Sequence, residues 1–294
     1  MQNFQITVTD GRLDLDRIAR SGQMFRWLPN GDGWAIYDGD HVHLVEQVDE
    51  VLHVRSNQDH KVFKGLMRFD EDHGRKLEDI VRLGPELEPS LKNLVGMRMM
   101  RPVCARETLF SFLCSANNHL SRITSMVWKL SEARNLPSTP SLASIPFLTI
   151  NQIASIGEGI LRQEGFGYRG KSIPQVAKRL ESDGGDRLLE ELKSEEYGVA
   201  RDYLLTLPGV GPKLADCICL FAFDHQEAVP VDTHIWQQLT KIYYPNWHGT
   251  ALTKTKYDYA TKAFRDRFGA LAGVAHQFLF VDNMTSYRNK NPKS

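Results

Sequence analysis

No stretch of this sequence comes near the roughly 20 consecutive apolar residues that a membrane-crossing helix needs. Its opening residues, MQNFQITVTD, carry neither the basic nor the apolar region of a secretory leader, so a soluble intracellular protein is the expectation. Cysteine is scarce. Cys104, Cys114, Cys217 and Cys219 are four in 294 residues, too few for a disulfide scaffold. Cys217 and Cys219 stand only one residue apart, which is not the paired spacing of a zinc site, and no cysteine follows Cys219 to complete an iron–sulfur ligand set. Reduced thiols, buried or half-buried, are expected. Excess charge is missing too: 36 Lys and Arg balance 36 Asp and Glu, which argues against a protein that holds nucleic acid by a broad basic surface. It leaves open a grip on a few phosphates through backbone N–H groups and helix N-termini. What is present is a hydrophobic content of 41%, enough for a core of normal size in one large domain or two ordinary ones.

Residues 1 to about 100 read as the β-rich part. WAIYDGDHVHLVEQ (34–47) and VLHVRS (51–56) alternate apolar and polar side chains beside turn material such as PNGDG, which predicts an antiparallel sheet. KVFKGLMRFDEDHGRKLEDIVRLG (61–84) reads as helical. From Arg106 the period changes. Leu109, Leu113, Ala116, Leu120, Ile123, Val127 and Leu130 recur every three or four residues and predict one long amphipathic helix. A turn-rich linker, NLPSTPSLASIPF, leads into shorter helical patterns to the end of the chain, where YRNKNPKS reads as a solvated, frayed basic tail. The expected architecture is α+β: an N-terminal antiparallel β-sheet domain over 1–102, then a mostly α-helical domain over 103–294.

The most informative stretch is DYLLTLPGVGPKLADCICLFAF, residues 202–223. Gly209 and Gly211 permit a tight turn with exposed backbone, and Pro212 suits the first position of the next helix. Such a hairpin offers free amides to an anion, and DNA phosphate is a natural guest. LPGVG alone also suits a purely structural DNA-binding module. Lys213 followed by Asp232 in VPVDTH adds chemistry. A lysine attacks an electrophilic carbon only as the amine, and apolar burial depresses its pKa. A carboxylate near a sugar favours the oxocarbenium-like charge that develops when a glycosidic bond breaks. Taken singly, Lys213 also fits a solvated first-turn lysine, and Asp232 an N-cap for the helix THIWQQL. As a pair after this hairpin they point to a nucleophile and its electrostatic partner.

In these residues the chain resembles the 8-oxoguanine DNA glycosylase/lyases of the helix-hairpin-helix superfamily. The resemblance runs from SGQMFRW (21–27) through FLCSANNHLSRIT (112–124), GFGYRGK (165–171) and LPGVGPKLADCICL (207–220) to VPVDTHIW (229–236). It implies that Lys213 attacks C1′ and forms a Schiff base that can nick the strand by β-elimination. Asp232 would assist base loss while capping its helix.

The resemblance also distributes further roles. The carbonyl of Gly22 would accept from N7–H, which 8-oxoguanine has and guanine lacks; on the residues alone Gly22 reads as a turn glycine before a strand. Cys217, one turn after Lys213, would pack on the flipped base and pair with the lysine as a thiolate, although an inert buried cysteine suits such an apolar helix as well. Phe280 would stack on the other face of the base. Mammalian members place a glutamine where His276 stands, which leaves the Watson–Crick contact open between His276 and Gln277. Asn117 would fill the gap left by the extruded base, Arg122 and Arg169 would read the opposite cytosine, and Tyr168 would wedge the stack. His234 would contact a phosphate beside those held by Gly209 and Gly211.

The partner implied is double-stranded DNA containing 8-oxoguanine, met by a monomer that uses no membrane. The location would be the cytoplasm or nucleoid of a prokaryote, or the nucleus of a eukaryote. No cofactor or metal is expected for chemistry with an amine nucleophile, and the family suggests a monovalent cation on hairpin carbonyls. Two rivals remain. A glycosylase for alkylated purines on the same scaffold would typically lack Lys213, and adenine or thymine-glycol enzymes carry a C-terminal four-cysteine cluster. A noncatalytic helix-hairpin-helix DNA-binding module would need neither the lysine–aspartate pair nor SGQMFRW.

Overall fold

A computed structural model describes residues 1–9 and 12–290, with side chains described as far as Thr285. Five strands form one antiparallel sheet: β1 (Gln2–Thr7), β2 (Trp27–Asn30), β3 (Gly33–Asp38), β4 (His41–Val48) and β5 (Val51–Ser56), in the order β1-β5-β4-β3-β2. The run 34–47 is therefore two strands, turned at Gly39-Asp40 with Gly39 at φ +63°. β2 escaped the sequence reading because Pro29 interrupts it. As an edge strand it tolerates a residue with no N–H to donate. In β3, Ala35, Ile36 and Tyr37 are all fully buried. Ile36 faces a core with Ile18, Phe63 and Leu66, whereas Ala35 and Tyr37 face Trp128, so the sheet is covered on both sides.

Fifteen α-helices accompany the sheet among the described residues. The first four are α1 (Leu15–Ala19), α2 (His60–Leu66), α3 (His73–Leu83) and α4 (Glu88–Asn93). Next come α5 (Ala105–Ser115), α6 (Leu120–Lys129), α7 (Ile150–Ser155), α8 (Glu158–Gln163), α9 (Arg169–Asp183) and α10 (Asp186–Ser194). The chain continues through α11 (Tyr197–Leu205), α12 (Pro212–Ala222), α13 (Thr233–Ile242), α14 (Lys254–Phe268) and α15 (Ala272–Lys290). α15 extends into the stretch expected to fray; the last four residues, 291–294, lie outside the described residues. None of these helices is long and apolar enough to cross a membrane.

The helical run 61–84 breaks in two: Arg68 takes a left-handed φ of +53°, and Asp72 caps α3 by accepting from the Arg75 N–H at 3.0 Å. The long helix expected over 109–130 also breaks, at 116–119. There Asn117 has φ +48°, and Asn118 Nδ2 donates to the Cys114 carbonyl at 3.1 Å. The helical period survives the break because α5 and α6 both bury their apolar stripes in the same core, with Leu109, Leu113, Ile123 and Val127 all below one-tenth exposed. That core also takes Ile80 of α3 and Leu91 of α4, so these early helices pack on the helical body. The stretch 135–147 is packed back onto the sheet: the Tyr37 hydroxyl donates to the Ser141 carbonyl at 3.0 Å, and Leu142 and Ile145 lie against the Trp128 cluster.

Arg26 of SGQMFRW welds the sheet to α5. It is fully buried, donates from Nε to Glu107 Oε1 at 2.7 Å and from Nη2 to Glu107 Oε2, and also serves the carbonyls of Gly39 (2.8 Å) and Ile145 (2.6 Å). Removing one member of a buried ion pair strands the other charge. Arg26→Ala is expected to lose about 3–5 kcal/mol of stability in urea melts, and adding Glu107→Gln should recover part of it. Equal stability of the two variants would show that the stranded carboxylate is not the cause.

Candidate functional site

α11 and α12 form the hairpin. Between them Leu207 and Val210 turn into the core, while Gly209 and Gly211 are exposed. Gly209 has φ +81°, and a Cβ there would meet the Ser172 Cβ at 3.1 Å, so both conformation and space call for glycine. Pro212 occupies the first position of α12, and no side chain caps its N-terminus, which leaves first-turn amides to an outside acceptor.

Lys213 sits in that first turn, half-buried, with Cys217 one turn further along. Asp232 approaches from α13, where it is the N-cap: its Oδ1 accepts from the His234 and Ile235 N–H groups, both at 2.9 Å. Here the electrostatics correct the expectation of a depressed lysine. Lys213 is held above its ordinary range, first by Cys217 against the opposing effect of burial, and further by the Asp232 carboxylate. Burial pushes the Cys217 thiol up to about 11 despite the nearby lysine, with Asp232 and Asp216 adding to the rise. Each of the two acts on the other: Cys217 favours the charged lysine, and Lys213 opposes the rise that burial gives the thiol.

α15 closes the site. His276 is 3% exposed and within electrostatic reach of Asp232 and Lys213. Burial, which outweighs the pull of Asp232, lowers it to about 4. Its ring lies nearly parallel to that of the half-buried Phe280, at 17° and 6.3 Å between centroids. Gln277 is committed elsewhere: its Nε2 donates to the Ser21 carbonyl at 3.3 Å, which ties α15 to the loop carrying Gly22. Of the two candidates for a contact to a base, His276 is the one placed beside the lysine. Gly22 has φ +76°, with open space where a Cβ would stand. Gln23 holds the same loop, donating to the Arg98 carbonyl at 3.1 Å and accepting from the Met100 N–H at 2.8 Å.

A second cluster gathers at the break between α5 and α6. Asn117 is exposed in its left-handed turn. The Tyr168 hydroxyl donates to the Ala116 carbonyl at 3.1 Å while its ring stays 59% exposed. Arg122 is exposed and donates to the Gly165 carbonyl at 2.8 Å. Arg169 is different: it is buried, lies over the Tyr168 ring at 4.5 Å, and donates to the Ala116 and Asn117 carbonyls. In this structure Arg169 shapes the turn that presents Asn117.

One residue the sequence reading passed over is Asp216, fully buried between Lys213 and Cys217 on α12. Its Oδ1 accepts from the Tyr197 hydroxyl at 2.6 Å and from Arg201 Nε at 2.7 Å, and its Oδ2 from the Tyr257 hydroxyl, which sets the rotation of α12 from two neighbouring helices. The available signal was an aspartate inside an otherwise apolar run, since such a buried acid needs donors.

No protein-family model matches the chain. The N-glycosylase/DNA lyase OGG1 of Arabidopsis thaliana is 31% identical over 300 residues, covering 97% of this chain and 81% of that protein. The Clostridium acetobutylicum 8-oxoguanine glycosylase/lyase, solved with double-stranded DNA containing cytosine opposite 8-oxoguanine, superposes with a TM-score of 0.81 at 25% identity. That likeness covers 96% of this chain and 93% of the other. A 3-methyladenine DNA-glycosylase from Archaeoglobus fulgidus shares the fold alone, with a TM-score of 0.70, 14% identity, and 96% and 98% of the two chains covered. On the strength of the Arabidopsis likeness, which spans nearly the whole chain, this protein belongs to the N-glycosylase/DNA lyase family.

Proposed function

We propose that the protein flips 8-oxoguanine out of duplex DNA and excises it, preferentially opposite cytosine, then nicks the strand through a Schiff base on Lys213. The observation that carries this reading is the meeting of Lys213 with Asp232 at the hairpin. The ammonium of Lys213 gives its proton to the departing base as the C1′–N9 bond breaks and the bonding pair goes to the base. The Asp232 carboxylate stabilises the positive charge left on the sugar. The resulting amine attacks C1′, the sugar ring opens to the Schiff base, and loss of a C2′ proton expels the 3′-phosphate. A raised lysine suits the first of these steps.

In the same reading the Gly22 carbonyl accepts from N7–H of the lesion, and guanine, whose N7 is an acceptor, leaves two lone pairs opposed. Cys217 and Phe280 border the base, and His276 meets its far edge. Asn117 fills the gap, with Tyr168 as wedge. Arg122 reads the opposite cytosine, with Arg169 joining it or holding the turn. Amides at Gly209 and Gly211, together with His234, take phosphates. The strand-bearing residues 1–102 supply Gly22 and the helical residues 103–294 supply the nucleophile. An amine nucleophile needs no metal; a monovalent cation on hairpin carbonyls would serve the phosphate grip.

Nicking of duplexes that carry 8-oxoguanine opposite each of the four bases tests the reading. Cytosine should rank first, and Arg122→Ala should flatten the ranking by about tenfold, the worth of one good base contact. An unchanged ranking would remove Arg122 from the role.

A further inference from the structure

A buried ion pair is a poor source of stability: drawing both charges out of water commonly offsets their attraction, and apolar side chains of similar volume often do as well or better. Asp216 is nevertheless fully buried in α12 among Leu214, Ala215, Cys217, Ile218 and Cys219. Its partners all come from outside that helix. Tyr197 and Arg201 belong to α11, the other arm of the hairpin, and donate to Oδ1 at 2.6 and 2.7 Å; Tyr257 of α14 donates to Oδ2. Arg265, also of α14, donates to the Tyr197 hydroxyl at 3.4 Å and lies over its ring at 5.3 Å, so the two bracing helices are themselves tied together.

Asp216 stands three residues after Lys213 and one before Cys217, so whatever fixes its angle about the axis of α12 fixes theirs. Little else in the first turns does so directionally. No side chain caps the N-terminus of α12, and the apolar contacts of Leu214 and Ala215 let a helix slide or turn in a way that hydrogen bonds do not. The far end is pinned separately, since Asp224, just past α12, accepts from Arg68 and from Arg101 Nε at 2.9 Å. We propose that Asp216 is a positioning residue: gripped from α11 and α14, it sets the angle at which Lys213 and Cys217 face Asp232. Being fully buried, it acts on DNA only through the lysine. The inference deepens the reading of Lys213 as nucleophile and rests on it.

Single-turnover excision of 8-oxoguanine opposite cytosine, at saturating duplex, gives two separate readouts. The amplitude counts folded, active molecules, and the rate constant reports how well each is arranged. A residue that only stabilises the fold moves the first; a positioning residue moves the second. Combining Asp216→Leu, Arg201→Met and Tyr257→Phe replaces the cluster by apolar side chains and leaves no buried charge unpaired. This triple variant should melt close to the unaltered protein, keep its amplitude and bind the duplex within about threefold, with a rate constant lower by about 10- to 100-fold. Tyr257→Phe alone removes one hydroxyl and keeps the ring, and it serves if the triple variant does not fold. It should lower the rate constant by about threefold at unchanged amplitude. A folded triple variant that excises at the unaltered rate constant would overturn the proposal, as would an unchanged rate constant in Tyr257→Phe where the triple variant fails to fold. A loss confined to amplitude or to duplex affinity would overturn it equally. Failure of the unaltered protein on the lesion duplex would bring down the underlying reading along with the proposal.

Discussion

Lys213→Gln is expected to lose excision by at least about a thousandfold while duplex affinity changes only a fewfold. Glutamine approximates the length of lysine but supplies neither a proton for the departing base nor an amine for C1′. The groups assigned to holding the duplex, the hairpin's backbone amides and the cluster around Asn117, do not use the Lys213 side chain and remain in place. The fold should survive too, because Lys213 is only half-buried. Single-turnover excision and a binding titration on the same lesion duplex separate the two effects. Weakened binding with little loss of rate would mark Lys213 as a phosphate contact instead.

The second large effect belongs to Asp232, and two substitutions separate its two duties. Asparagine is as good an N-cap as aspartate, so Asp232→Asn can keep the acceptor for the His234 and Ile235 N–H groups. It removes the negative charge. Excision should fall by about 10²–10³-fold, as expected when one preorganised group facing a developing charge is lost, with thermal stability nearly unchanged. Asp232→Ala should show the same loss of rate and an additional destabilisation of about 1 kcal/mol from the missing cap. Near-normal excision by Asp232→Asn would reduce Asp232 to a helix cap.

How much of this was legible in the sequence depends on how local each signal is. The hairpin, its lysine and the capping aspartate were readable because LPGVGPK and VPVDTH are short and each turn or cap is built from its own neighbours. The state of Lys213 was not, since Cys217 and then Asp232, which reaches it from another helix, together outweigh the burial that suggested a depressed value. The break that exposes Asn117 was hidden by an apolar period that α5 and α6 both obey. Which of His276 and Gln277 lies beside Lys213 turned on the rotation of α15, which the Gln277 bond to Ser21 records and which a single helix pattern cannot reveal. Arg26 looked like part of a recognition motif, but its partner Glu107 lies 81 residues away and makes it a structural weld. The strands read best where apolar and polar residues alternate, as in β5, and worst at β2, where a proline sits on the sheet edge.

Borohydride reduction during reaction with a duplex bearing one 8-oxoguanine opposite cytosine tests the central claim most directly, with unmodified guanine as control. The account predicts a covalent protein–DNA adduct on the lesion duplex alone, with the peptide containing Lys213 carrying the sugar remnant. Base release with no adduct, or an adduct mapped to another lysine, would contradict it.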